Sequence, residues 1–485
     1  MNQLASFAAG SPGFGFGAVP AQEFDALQKA IGAGYDVGGT TQTGGGAWRL
    51  EFLESTLAVL TETMRQVTFF RDLPKPNARS TAIEYARRTD VGSRHGGFYR
   101  AGELPLSHDA AYDRNVALVK FLGDVREIEM PFLYTDTLVE KRAEVTDTGT
   151  MWLVGQLERA LFKGNAKLGV NGAEFEEIDG LETFVERDAW ADSVINLWGE
   201  PLEEGHLKQA GQVVIDARGV ANRMYGSNKV IEDFASSYRL QQKYEGNNAG
   251  MVVGSRIDRI ETAGGTYIPR TLYLYSGLTK EQPVTSAPDN APSPAPTVTI
   301  ALTAATAEWG KSLGLTAKGT GSSASVEYQV SYGNRYGEGV PVTSTPASQA
   351  ITYAQRETQN VRVTITNPAA FTNQPTYAAI YRKDTDADGN ESDWGCVARV
   401  SLANVTPGGT TTWDDNGENM PGTERCWLGE LSENVLHLSQ LLPFTRIGLA
   451  NISLSERFAL VMFISFVCRI PNRWVEFRNV GYRTP

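Results

Sequence analysis

The sequence predicts an α+β core interrupted by a separate all-β module, and three observations carry that reading. Helical stripes with a 3.6-residue period are mixed with short extended segments through the middle of the 485-residue chain. At Pro283 the composition shifts abruptly, with Pro283, Pro288, Pro292, Pro294 and Pro296 packed into a short stretch. Strict alternation of apolar and polar residues follows, and beyond Arg425 the character of the first half returns. The module therefore lies inside the core sequence instead of at one end of it.

Composition bounds the function. There are 44 Lys+Arg against 56 Asp+Glu, a net charge of −12, so the chain carries no bulk footprint for coating nucleic acid. With 41% hydrophobic and 10% aromatic residues it is globular. Cys396, Cys426 and Cys468 form at most one pair, which excludes a secreted disulfide framework and points to a reducing compartment. The start has no basic segment before its apolar residues and is broken by Gly and Pro, so no signal peptide is expected. The longest apolar run, 458–468, falls far short of the roughly 20 residues that span a bilayer, so no membrane partner is expected.

Residues 1–46 read as an arm. Lys29 is their one basic residue, Gly13, Gly15, Gly17 and Gly44 to Gly46 interrupt them, and Phe24, Leu27 and Ile31 give one short helical pattern. The core, 47–284, opens with a helical stripe of Phe52, Leu53, Leu57, Leu60 and Met64, closed by Pro74 and Pro76. Residues 78–130 then read as a long hairpin, with strands over 82–88 and 116–130 and a polar tip over 90–109. It holds too few large apolar side chains for a core of its own and must lie on something else. A helix over 148–163 presents Leu153, Val154, Leu157, Ala160 and Leu161, and Gly164 stops it. Another opens at Pro201 with Glu203 and Glu204, carries Leu207, Ala210, Val214, Ala217, Ala221 and Met224, and ends at Gly226. A third has Val230, Ile231, Phe234 and Tyr238, and extended segments run over 251–275.

The proline-rich stretch 283–296 is a semi-rigid linker into the module, 285–424. Val298, Ile300 and Leu302, then Val326, Tyr328, Val330 and Tyr332, then Val361, Val363 and Ile365 alternate with polar neighbours. Short strands without helix signals predict a β-sandwich of immunoglobulin or fibronectin type, ending near 412–417. The return to the core, 425–485, contains a doubly buried strand over 457–470 and a last strand over 474–480.

Little in the sequence promises catalysis. His95, His108, His206 and His437 share no metal-ligand spacing, and the cysteines form no CxxC pair. The glycines at 13, 15 and 17 lack the Lys-Ser/Thr of a phosphate loop. Asp384, Asp386, Asp388 and Gly389 copy half a calcium loop, but Gly395 stands where the bidentate Glu belongs, so they read as an acidic turn. No catalytic, cofactor-binding or metal-binding residue is assigned, and no cofactor is expected. The candidates for contact are the hairpin arginines Arg87, Arg88, Arg94 and Arg100. Because Glu84, Asp90, Glu103, Asp109 and Asp113 lie among them, ion pairing between protein subunits fits better than nucleic acid.

The order of parts is the informative signal: Gly-rich arm, lone helix, long charged hairpin, long helix, α+β domain and a returning strand pair. It resembles the major capsid proteins of tailed bacteriophages, the Hong Kong 97-like fold, over residues 1–284 and 425–485. Local texture agrees, in Phe175-Glu176-Glu177-Ile178-Asp179-Gly180-Leu181 and in Trp474-Val475-Glu476-Phe477-Arg478. The resemblance implies an N-terminal arm (1–46), an extended loop (78–130), a peripheral domain with the spine helix (148–163) and an axial domain. It also implies assembly into hexamers and pentamers of an icosahedral shell around double-stranded DNA, with no sequence-specific DNA binding. Portal and scaffold or cement proteins would be partners, and the virion, assembled in the bacterial host cytoplasm, the location. Immunoglobulin-like insertions in that family decorate the outer surface, so the module is expected to be dispensable for shell formation. Some members crosslink a hairpin lysine to a neighbour's asparagine, but here no Lys lies between Lys75 and Lys120, so none is expected. Two alternatives are a phage tail or decoration protein with an adhesive sandwich, and a carbohydrate-active enzyme with a fibronectin-type module working through paired carboxylates.

Overall fold

The computed structural model describes residues 66–92, 98–104, 107–134, 140–237, 257–275, 277–450 and 454–482. The predicted arm, its glycine clusters, the helix over 52–64, Tyr238 and the extended segment over 251–256 lie outside the described residues.

A single helical turn, α1 (Phe69–Asp72), precedes the hairpin and buries Phe69. Strand β1 (Ala82–Asp90) pairs antiparallel with β2 (Ala111–Leu118), Ala82 opposite Leu118 and Asp90 opposite Ala111. The second arm differs from the expected single strand. At Val119 the side chain turns inward and the N–H bonds to the carbonyl of Thr81 at 2.9 Å. From there β3 (Lys120–Glu129) leaves the hairpin for another sheet. One buried residue thus divides 116–130 between two partners.

Helix α2 (Lys141–Lys163) begins earlier than the predicted 148. The hydroxyls of Thr146, Thr148 and Thr150 donate to the carbonyls of Arg142, Glu144 and Thr146 at 2.7, 3.0 and 2.7 Å. Threonines that resemble a cap are here carried inside the helix by bonding back one turn. The helix ends at Gly164 as expected, where the backbone turns extended at ψ 145°, and only glycine fits because a Cβ there would sit 2.3 Å from the Ile178 carbonyl oxygen. Helix α3 (Leu181–Asp188), unforeseen in the sequence, buries Leu181, Phe184 and Val185. Strand β4 (Val194–Asn196) and helix α4 (Glu204–Asp216) follow. The stripe expected to reach Met224 breaks off at Asp216. Arg218 adopts φ +58° and Gly219 bonds back to Val214, so Met224 falls in β5 (Arg223–Ser227). Then come α5 (Asn228–Ser237), β6 (Ile260–Thr262) and β7 (Gly265–Leu272).

The prolines of 283–296 lead into eight strands: β8 (Thr297–Ala304), β9 (Ser323–Asn334), β10 (Gly337–Glu338), β11 (Val342–Thr352), β12 (Gln359–Thr366), β13 (Tyr377–Thr385), β14 (Gly395–Ser401) and β15 (Thr410–Asp415). Their order is β14-β13-β9-β11-β8-β12-β15, with β10 on β9. The path is joined between β11 and β8 by one parallel pair, Thr345 with Thr299. Alternation sends Ile300, Val361 and Val363 from one half and Val326, Tyr328 and Val330 from the other into a single core. Two helical turns, 309–312 and 315–318, were not expected, and they bury Trp309 and Leu315 there. The linker runs against this β-unit: the Asn334 side chain donates to the Asn290 carbonyl at 3.0 Å, and the Thr372 N–H to that of Ser293 at 2.7 Å.

The chain returns through β16 (Glu424–Gly429), β17 (Leu436–Gly448), β18 (Ser455–Cys468) and β19 (Trp474–Val480). Strands from both sides of the β-unit share one six-stranded sheet, β4-β19-β16-β5-β7-β6, and β18 is central in β17-β18-β3. Phe69, Leu157, Phe162, Trp427, Phe466 and Trp474 pack in the largest core between them. Burial on both faces holds over 458–460 and again over 464–468 of β18. Between these stretches Val461 and Phe463 are half-buried, and the Phe463 ring meets an exposed Phe121 edge-on at 4.8 Å.

Candidate subunit-contact surface

The two-residue period of the hairpin gives it two faces. Ile83, Tyr85, Arg87, Asn115 and Ala117 lie on the half-buried one, where the Tyr85 hydroxyl reaches the Cys468 carbonyl at 3.5 Å. The other face pairs Glu84 with Val116, Ala86 with Arg114 and Arg88 with Tyr112. Tyr112 and Val116 are 69% and 55% exposed there, and Phe121 and Val125 of β3 are 65% and 60% exposed. At the tip, Phe98 and Leu104 are almost wholly in solvent. Neither β1 nor β2 has a buried residue. A two-stranded ribbon is marginal alone, and large exposed apolar surface marks an interaction site.

The structure separates the candidate arginines. Arg87 pairs with Asp113 across its own hairpin at 3.1 Å. The Asp113 carboxyl is held below its usual range by the Asn115 side chain and by Arg87. Arg114 pairs with Glu84 on the opposite face. Arg88 is exposed on that same face, and Arg100 is exposed near the tip. Arg94 lies outside the described residues. Position in the ribbon, invisible to a charge count, leaves Arg88 better placed than Arg87 to meet another molecule.

The remaining motifs resolve into local structure. His206 accepts the Glu203 N–H in a capping box, and buried His437 lies 2.9 Å from the Glu433 carbonyl, with its pKa lowered by burial and by Arg469. His108 is exposed, and His95 lies outside the described residues. Cys396, Cys426 and Cys468 are buried free thiols, that of Cys468 pushed up to about 12 by burial. The acidic turn divides its carboxylates. Asp384 faces Arg382 at 2.7 Å, Asp386 accepts the N–H groups of Asp388 and Asn390 at 2.9 and 2.8 Å, and Asp388 pairs with Lys318. Among the described residues no three His, Cys, Asp or Glu side chains are grouped to hold a metal, and no helix is long and apolar enough to cross a membrane.

What the sequence reading missed is a buried ionic junction behind the hairpin's support. Arg425 of β16 meets Glu476 of β19 at 2.6 Å and also pairs with Glu182 of α3. Arg478 contacts Glu476 at 3.2 Å, Glu418 at 3.1 Å, and Glu186. The Tyr275 hydroxyl donates to Glu182 at 3.1 Å. Burial pushes the Glu182 carboxyl up to about 7 against the pull of Arg425. Burial acts on Glu476 too, yet Arg478 and Arg425 hold it below its usual range. A second clamp lies on α2, where buried Glu158 accepts the N–H groups of Thr68, Phe69 and Phe70 at 3.1, 2.7 and 2.7 Å. The signal in the sequence was charge at alternate positions of apolar strands, as in Val475-Glu476-Phe477-Arg478.

No family model matches the chain. Over 470 residues it is 27% identical to the major capsid protein of Staphylococcus phage S25-3, and equally to that of Staphylococcus phage K, spanning 94% of this chain and of each relative. These full-length relatives are phage major capsid proteins. A solved structure from Mycobacterium phage Adephagia matches with a TM-score of 0.45 at 9% identity, covering 92% of this chain and 99% of that one. That level of likeness carries no weight for the fold, and the sequence relatives stand alone.

Proposed function

We propose that the chain is the major capsid protein of a tailed phage, assembling through its exposed hairpin into a closed shell. The observation that carries this is the similarity to phage major capsid proteins along 94% of the chain. The geometry supplies the physical reason. A ribbon with no buried residue and with Tyr112 and Val116 in solvent on its outer face gains further stability when a neighbour covers that face. Repetition of one such contact under closed symmetry builds a shell. In the finer reading the fold is Hong Kong 97-like, with β1 and β2 in the extended loop and α2 as the spine helix. The β-unit is an immunoglobulin-like sandwich inserted in the core. Hexamers and pentamers form the icosahedral shell, Arg88 and Arg100 act between subunits, and packaged DNA lies inside without sequence-specific contacts. Assembly takes place in the host cytoplasm with portal and scaffold or cement partners. Electron microscopy of the expressed chain tests this. Uniform shells, or hexameric and pentameric rings, support it, and a stable monomer at high concentration overturns it.

A further inference from the structure

We infer that the β-unit of residues 297–415 is a fixed brace for the C-terminal end of α2 and the loop after it, so that the two fold and unfold as one body. The last carbonyls of a helix lack partners inside it and attract a cation. Here the partner comes from the β-unit: Arg399 of β14 donates to the Lys163 carbonyl and pairs with Glu177 at 3.2 Å. Its side chain is only 9% exposed, so the guanidinium has left water for two partners that both belong to the core. Without the β-unit, Lys163 and Glu177 lose a buried donor, and without the core Arg399 loses both acceptors.

Apolar packing runs through the same contact. Leu168, Phe175 and Leu278 of the core share one cluster with Tyr377, Tyr381 and Cys396, and the Phe175 and Tyr377 rings meet edge to face at 5.8 Å. Backbone bonds cross it as well: the Asn171 N–H reaches the Leu402 carbonyl at 2.7 Å and the Cys396 N–H that of Glu281 at 3.0 Å. Gly395 allows the approach, because a Cβ there would stand 2.0 Å from the Thr279 oxygen. A second contact lies elsewhere on the unit, where the Lys311 ammonium sits 5.0 Å over the Trp198 ring. An ornament on a tether touches its host through the linkers alone, and relative motion is then the default. A buried cation, an apolar cluster and shared backbone bonds remove that freedom. The expectation that the module is dispensable therefore does not suit this contact.

The test is hydrogen exchange and thermal unfolding of the full chain with Arg399→Ala, Arg399→Lys and, as control, Arg362→Ala. Arg362 forms its pair with Asp414 on an exposed part of the same unit. The wild-type chain is expected to melt in one transition. Arg399→Ala should speed amide exchange over 164–180 by about tenfold or more. Arg399→Lys, which keeps the charge and loses the fork, should fall between the two, and Arg362→Ala should leave those amides unchanged. A wild-type chain melting in two separate steps, or an Arg399→Ala effect confined to 297–415, overturns the inference. If Arg399→Ala does not fold, the Arg399→Lys exchange pattern over 164–180 decides.

Discussion

Replacing Glu182 by glutamine should remove a defined component of the pH dependence of folding. Glu182 projects from α3 into a junction where Arg425 approaches from β16, Glu476 and Arg478 from β19, Glu186 from its own helix, and Tyr275 donates a hydrogen bond. Two buried carboxylates compete for Arg425, and Glu476 holds both guanidiniums. Glu182 is the one that takes a proton, moving from 4.5 to about 7 through burial. Because the folded pKa is raised, the folded chain keeps a proton that the unfolded chain has released. The stabilisation is therefore fully present below about pH 4.5 and lost as pH rises through about 7. At 1.36 kcal/mol per pH unit the swing is roughly 3 kcal/mol, large against the ~5 to 15 kcal/mol of a typical domain. Glutamine keeps the shape, accepts from Arg425 and has no proton to lose. Urea unfolding of the unassembled chain, in steps between about pH 5 and 8, should show wild-type stability falling relative to Glu182→Gln as pH rises. Parallel curves for the two proteins across that window would refute the assignment.

Arg88→Glu should leave the melting of the unassembled chain unchanged, because exposed charges contribute little to folding, yet abolish particles; wild-type particle yield in electron micrographs would argue against the contact. Leu460 is fully buried where β18 approaches Gly149 of α2, so Leu460→Ala should cost about 2 to 5 kcal/mol in urea unfolding, and a loss well under about 1 kcal/mol would show the site collapses freely. Glu158→Ala strands the N–H groups of Thr68, Phe69 and Phe70 and should cost about 3 kcal/mol or more. Glu158→Gln, which keeps an acceptor, should cost clearly less, and equal losses from the two variants would count against the clamp.

Period and punctuation made most of the fold legible. Alternation in Val326, Tyr328 and Val330 located β9, and Gly164 marked the end of α2, a place where backbone on two sides leaves room for no side chain. Failures came where two signals coincide. Ala217, Ala221 and Met224 keep helical spacing after α4, yet Arg218 turns the chain left-handed and the last of them pairs in a sheet. Val119 looks like one more strand residue, and only its burial reveals the change of partner. The contact surface was legible as charge in a hairpin, but the face of each arginine depends on register, which pairs Arg87 with Asp113 and turns Arg88 outward. Of the ionic junction only the charges alternating in 475–478 were legible, and not their partners, since Glu182 and Arg425 are brought together only by the sheet and the helix packed on it.

The handover at Val119 also decides how the molecule bears load. Beyond Val119, β3 is held to β18 by ten consecutive antiparallel pairs, from Lys120 opposite Ile464 to Glu129 opposite Ser455. A pull directed along β3 from Lys120 slides it against its neighbour, so all ten pairs resist together. Spreading β1 from β2, in contrast, would open their pairs one after another. The ribbon is therefore built to give way in opening while its root holds in shear, as a hinge strap gives at the flap and not at the rivets.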